Sequence, residues 1–235
     1  MAILPIADWW RRPLTAWMRS GLLHRSQPIS RIFGLDRGQP IDRHYIENFL
    51  GRYRGDIQGR VLEIAGREYM DKFGAGRVTQ CDVLHTTSGN PEATLIGDLA
   101  TGIGIPTSFF DCMILTQTLL YIYDVKDAIV HTHDALRPGG VALVTVPGVS
   151  QISRYDMDRW GDYWRFTDAS ALRLFGDIFG PENVEVSTYG NVLTACAFLY
   201  GLAAHELKRE ELNGHDPDYQ VIIGIRARRP LEHRG

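Results

Sequence analysis

The side chains best suited to chemistry are acids near the ends of short apolar runs. Glu63 lies in Val61-Leu-Glu-Ile64, Asp82 closes Val78-Thr-Gln-Cys-Asp82, and Asp98 closes Ala93-Thr-Leu-Ile-Gly-Asp98. A fourth run, Cys112-Met-Ile-Leu115, ends in the polar pair Thr116-Gln117. Carboxylates accept hydrogen bonds from ammonium and hydroxyl groups. Ligands of open parallel sheets sit outside the carboxyl ends of the strands, where strand order reverses. Acids delivered there, Asp82 nineteen residues after Glu63, are suited to gripping the ribose of a nucleotide-type cofactor.

These residues need a scaffold of alternating strands and helices. Strands are predicted at 61–65, 77–82, 93–97, 111–116, 141–146, 184–189 and 221–227, with helices over 124–136, 168–179 and 192–204. The turn Leu136-Arg-Pro-Gly-Gly140 separates the first of those helices from the fifth strand. Upstream, Asp42 is read as the N-cap of a helix beginning at His44. Gly51, Gly55 and Gly59 break that pattern before the first strand. The alternation predicts a parallel sheet covered by helices on both faces. The chain divides into an N-terminal helical cap (1–59) and an α/β domain (60–235) with an acceptor or lid insertion at 148–167.

Composition narrows the partners. The 235 residues carry a formal charge of −3, with 44% hydrophobic and 23% charged residues, and no dense Lys/Arg block marks a nucleic-acid surface. The three cysteines, Cys81, Cys112 and Cys196, fall in predicted strands and an apolar helix and read as buried thiols. No Cys/His spacing matches a zinc site, so no metal is expected. No run is long enough to cross a bilayer and no signal-peptide order opens the chain, so a cytoplasmic protein is expected. The Trp- and Arg-rich N-terminus, with Trp9, Trp10, Arg11, Arg12 and Trp17, packs on its own domain, forms a homodimer contact or lies on a membrane surface; the membrane is the least favoured of the three.

As a linked series these motifs resemble the class I S-adenosylmethionine-dependent methyltransferases over roughly residues 60–190. Val61-Leu-Glu-Ile-Ala-Gly66 resembles their first-strand motif, Gly97-Asp-Leu99 the segment flanking adenine, and Phe110 to Tyr121 with Leu136 to Gly140 the fourth strand and the turn into the fifth. Asp162-Tyr-Trp-Arg-Phe-Thr167 is similar to an element that opens the next helix in many small-molecule members. The resemblance implies a Rossmann-like three-layer α/β/α sandwich with a seven-stranded, mostly parallel sheet and an antiparallel last strand. It implies S-adenosylmethionine as cofactor and S-adenosylhomocysteine as product. Cofactor contacts are then expected from Glu63, Ala65, Gly66, Asp82, Val83, Asp98, Leu99, Thr116 and Gln117, with Arg43 or Tyr45 folding back on the cofactor carboxylate. Tyr155, Trp160 and Trp164 are the acceptor-binding candidates, since aromatics sandwich planar or sugar-like molecules.

The chain departs from the family at the first turn, where Ala65, Arg67 and Tyr69 stand at positions usually held by glycine. Three readings result. The first is a methyltransferase acting on a small molecule, on oxygen of a sugar or secondary metabolite. The second is a catalytically weakened scaffold or interaction protein. The third is a nicotinamide-dependent oxidoreductase, which lacks the Gly-x-Gly-x-x-Gly after strand one. Asp156, Asp158 and the histidines are open candidates for a general base. His131 and His133 are read as a solvated helix face.

Overall fold

The computed structural model describes residues 25–231. The N-terminal tryptophans and the proposed dimer or membrane contact of that segment lie outside the described residues.

Seven strands form one sheet in the order β3-β2-β1-β4-β5-β7-β6. The strands are β1 (Gly59–Ile64), β2 (Val78–His85), β3 (Leu95–Ile96), β4 (Phe110–Thr116), β5 (Leu136–Pro147), β6 (Val184–Tyr189) and β7 (Ile222–Arg228). Strands β1 to β5 pair in parallel. Strand β7 runs antiparallel to both β5 and β6, between them. This is the Rossmann-like layout with an antiparallel last strand. The order turns back on itself at β1 and β4, so the crevice of the fold lies above their carboxyl ends.

The central strands are apolar on both faces because both are covered. Leu62, Met113 and Val144 join a core with Ala128 and Ile129 of α3 (Val125–Ala135) and Phe175 and Phe179 of α5 (Asp168–Phe179). Their neighbours Val61, Cys112 and Leu143 join a second core with Ile41, Ile46 and Phe49 of α1 (Ile41–Arg52), Met70 of α2 (Glu68–Gly74) and Phe198 of α6 (Val192–Leu199). Helix α1 therefore packs into the same core as the sheet. It lies so close to β7 that a Cβ at Gly224 would meet the Phe49 ring at 2.4 Å.

Local chemistry explains several boundaries. Thr167 accepts a hydrogen bond from the Ser170 amide while Ser170 reciprocates, a capping box that starts α5 where its amphipathic pattern begins. Pro40, and not Asp42, is the N-cap of α1; Asp42 sits in the first turn, and the helix runs past Gly51 to Arg52. The apolar pattern of 192–204 is cut at Leu199, because Gly201 adopts φ 74° and Leu202 donates back to the Ala197 carbonyl. The turn read at Leu136 to Gly140 already pairs with β4, through a register shift between Phe110 and Cys112.

Candidate cofactor and acceptor site

Strand β2 continues three residues beyond Asp82, to His85. Asp82 lies opposite Leu62 in mid-strand. Its carboxylate takes hydrogen bonds from Arg60 Nε at 2.6 Å and Nη2 at 3.1 Å, and from Thr94 Oγ1 at 3.3 Å. Asp82 thus falls short of the strand end that the sequence suggests for it, because the buried apolar pair Val83-Leu84 carries the strand on to His85. The residue at the carboxyl end is His85, whose ring lies edge-on to Trp160 at 6.0 Å. Val83 is buried and exchanges hydrogen bonds with Thr94.

Glu63 is buried at the end of β1 and accepts from the amides of Tyr69 at 3.0 Å and Met70 at 2.8 Å. It thereby satisfies first-turn donors of α2 from across the turn. Burial pushes its carboxyl up to about 7, against the opposing pull of those two amides. Between Glu63 and α2 the chain turns at Ala65, whose φ of 65° lies in the left-handed region, while Gly66 does not have a positive φ. Ala65 supplies the conformation that a glycine would supply elsewhere. Nothing lies closer than 3.8 Å to a Cβ placed on Gly66, so space remains above the turn. Arg67 points to Asp71 and stays exposed.

After β3, Asp98 accepts from the Ala100 amide at 2.8 Å and its carbonyl from Gly102, closing a loop. Leu99 is buried in the core, and its carbonyl bonds His131 Nδ1 at 2.8 Å. His131 is therefore half-buried against that loop, and His133 packs edge-on to Phe179 at 5.0 Å, so neither sits on a solvated face. His215 bonds Thr188 Oγ1 at 2.7 Å. Cys112 is buried, whereas Cys81 and Cys196 are only partly so.

A cavity of about 1160 Å³ opens at the carboxyl end of β4. Thr116 and Gln117 form part of its floor, and Arg43, Asp42 and Tyr69 part of one wall. Arg43 donates to Tyr69 Oη at 2.5 Å; burial pushes Asp42 up to about 6 and the Tyr69 phenol up to about 12. Tyr45 does not reach this cavity. It is buried beneath α7 (Arg209–Asn213), with its hydroxyl donating to the Leu212 carbonyl at 2.9 Å.

The loop 148–167, with its short helix α4 (Arg154–Met157), forms the opposite wall through Ser150 to Asp156. Arg165 holds this loop together: it pairs with Asp162 at 2.5 and 3.1 Å and donates to the Gln151 carbonyl at 2.7 Å. Asp156, half-buried on the cavity wall, accepts from Tyr121 Oη at 3.0 Å and Ser153 Oγ at 2.6 Å. Burial and the neighbouring Asp156 carboxylate hold the Tyr121 phenol well above its usual range. Of the three predicted acceptor aromatics, Tyr155 lines the cavity. Trp160 lies beside His85, and Trp164 donates to the Ile122 carbonyl at 3.0 Å, anchoring the loop to the segment after β4.

Residues 25–40 complete the cavity, a contribution the sequence reading missed. Ile29 donates to the Tyr200 carbonyl, and Gln151 Nε2 donates to the Arg31 carbonyl at 2.8 Å, which ties this segment to the loop opposite. Only the run of turn residues around Gly34 and Gly38 signals a packed, irregular stretch there.

Sheet order, crevice and cavity position together define the fold of the class I S-adenosylmethionine-dependent methyltransferases. Solved structures with this fold include a SAM-dependent methyltransferase from Archaeoglobus fulgidus, 12% identical over 80% of this chain and 94% of that one, with a TM-score of 0.52. An S-adenosylmethionine-dependent methyltransferase from Mesorhizobium loti is 17% identical over 83% and 100% of the two chains, with a TM-score of 0.51. The [4+2]-cyclase SpnF is 16% identical over 87% and 88%, also with a TM-score of 0.51. No family model matches the sequence, and no curated protein matches it. Among the described residues no cluster could hold a metal ion, and no helix is long and apolar enough to cross a membrane.

Proposed function

We propose that the chain is an S-adenosylmethionine-dependent methyltransferase acting on a hydroxyl of a small molecule such as a sugar or secondary metabolite. The observation that carries this reading is the cavity at the carboxyl end of β4, beside the reversal of strand order, with charged and amide side chains facing into it. The residues present fit the cofactor. The left-handed turn survives at Ala65 and leaves open space over Gly66. Arg43, Asp42 and Gln117 on one cavity offer a cation for a carboxylate, an anion for an ammonium and an amide for either. Gly66, Asp98 and Thr116 complete the proposed cofactor set, with His85 taking the strand-end place expected of Asp82.

The cofactor supplies an electrophilic methyl group when bound. The protein's part is to align the acceptor and to manage its proton. Tyr121 and Ser153 both donate to Asp156 Oδ2 and so orient the carboxylate, and we assign the proton of the acceptor hydroxyl to the other oxygen, Oδ1. Tyr155 and the loop held by Arg165 cover the acceptor and exclude water.

Calorimetric titration with S-adenosylhomocysteine tests the cofactor half: micromolar binding is expected. Absence of binding at millimolar ligand overturns the reading and leaves the non-enzymatic scaffold. Methyl transfer to a panel of hydroxylated compounds tests the acceptor half. It is expected to be lost in Asp156→Asn while S-adenosylhomocysteine binding is retained.

A further inference from the structure

The mouth of the cavity has a composition that a small polar acceptor alone does not require. Ile32, Leu35, Ile152 and Leu199 line it and are 52, 57, 47 and 42% exposed. They come from three separate parts of the chain: the segment 25–40, the loop after β5 and the end of α6. Large aliphatic side chains converging on one opening form an apolar patch of the kind that marks a binding surface.

Cations share this opening. Arg25, Arg31 and Arg154 line the same cavity and are exposed, and none makes an ion pair with a described residue. The acids of the cavity lie elsewhere. Asp162 is buried in its pair with Arg165, Asp156 is held by Tyr121 and Ser153, and Asp42 sits at the start of α1. The order from the interior outward is hydrogen-bonding groups, then guanidinium groups among exposed aliphatic side chains.

We infer that the acceptor is an anionic amphiphile, with a hydroxylated head inside the cavity, a phosphate-like group among the mouth arginines and a hydrocarbon chain along Ile32, Leu35, Ile152 and Leu199. Guanidinium is matched in geometry to phosphate oxygens, and burial of a chain on the aliphatic rim adds affinity in proportion to the apolar area removed from water. This inference rests on the methyltransferase reading for the word acceptor, but its binding test does not use the cofactor.

The test is calorimetry with dodecyl phosphate below its micelle concentration, beside inorganic phosphate and the neutral dodecyl maltoside, which has the same chain length, as controls. Dodecyl phosphate is expected to bind at least tenfold more tightly than either control. Arg31→Ala with Arg154→Ala, and separately Ile152→Ser, are each expected to weaken it by tenfold or more. All three positions are exposed, so unchanged thermal transitions confirm folded variants. Equal affinity for the neutral detergent overturns the anionic part. Equal affinity for inorganic phosphate overturns the amphiphile. Dodecyl phosphate binding that none of the variants alters places the ligand elsewhere on the chain and also overturns the proposal. Titration of the unmodified protein with S-adenosylhomocysteine separates the two readings: absence of that binding beside intact dodecyl phosphate binding removes the methyltransferase reading and leaves the amphiphile site.

Discussion

Arg60 and Asp82 grip each other from neighbouring strands through hydrogen bonds of 2.6 and 3.1 Å, with the Phe109 ring 3.9 Å from the guanidinium carbon. The pair joins β1 to β2 in mid-sheet, with the Asp82 side chain largely shielded from water. A carboxylate so engaged serves the sheet before it serves a ligand. Asp82→Ala leaves a half-buried guanidinium without its partner and is expected to cost about 2–3 kcal/mol. Chemical denaturation measures that loss. S-adenosylhomocysteine affinity should shift less than threefold; a hundredfold loss in a folded variant would return Asp82 to the cofactor.

Glu63 makes stability depend on pH. Its carboxyl is raised by burial from 4.5 to about 7 in the folded chain. A raised value means that the fold holds the proton more tightly than the unfolded chain does. The contribution is therefore complete below pH 4.5 and is lost as pH rises through about 7, by roughly 3 kcal/mol. Glu63→Gln removes the titration. Urea unfolding at pH 4.5, 6 and 7.5 should show wild type losing stability relative to the variant over that window, and a constant difference would refute the assignment.

Asp162 and Arg165 set the rigidity of the loop that walls the cavity. The Asp162 side chain is 1% exposed and also accepts from the Ser153 amide at 3.2 Å, so the pair links both ends of the loop. Asp162→Ala leaves buried donors unpaired, at a cost of about 2 kcal/mol. Hydrogen exchange should accelerate at residues 150–165 more than in β4 or β5. Uniform acceleration across the sheet would show that the pair acts on global stability instead.

Gly224 is where α1 meets the sheet. A methyl group there overlaps the Phe49 ring at 2.4 Å, and Gly224→Ala is expected to destabilise by about 1–3 kcal/mol. Adding Phe49→Leu should recover part of that loss, a coupling that a double-mutant cycle measures. Additive costs would mean that the two side chains do not meet.

Much of the scaffold was legible because it is written locally. Helix 168–179 and strand 184–189 follow from the sequence with their observed limits, the helix through its apolar spacing at Leu172, Leu174, Phe175 and Ile178. Asp82 looks like the end of a strand over 77–82, yet its carboxylate is held by Arg60, twenty-two residues away, and by Thr94. Likewise Trp164 reads as a ligand-facing aromatic until its indole nitrogen is found on the Ile122 carbonyl. The cavity itself was least legible. Its walls are joined by Gln151 and Arg31, a hydrogen bond across 120 residues that no local pattern encodes.

The position of β7 has a consequence for synthesis. Strand β7 is an interior strand, lying between β5 and β6, and both of those neighbours are made before it. Until residues 222–228 emerge, β5 keeps an open edge and β6 lacks its one strand partner among the described residues. Arg226 adds a second closure, bonding Asp56 at 2.8 Å across 170 residues, so β7 is tied to the turn before β1 as well. A nascent chain stopped at residue 220 therefore carries exposed strand edges that invite pairing with other chains, and this sheet becomes one cooperative unit only once residues 222–228 have been made.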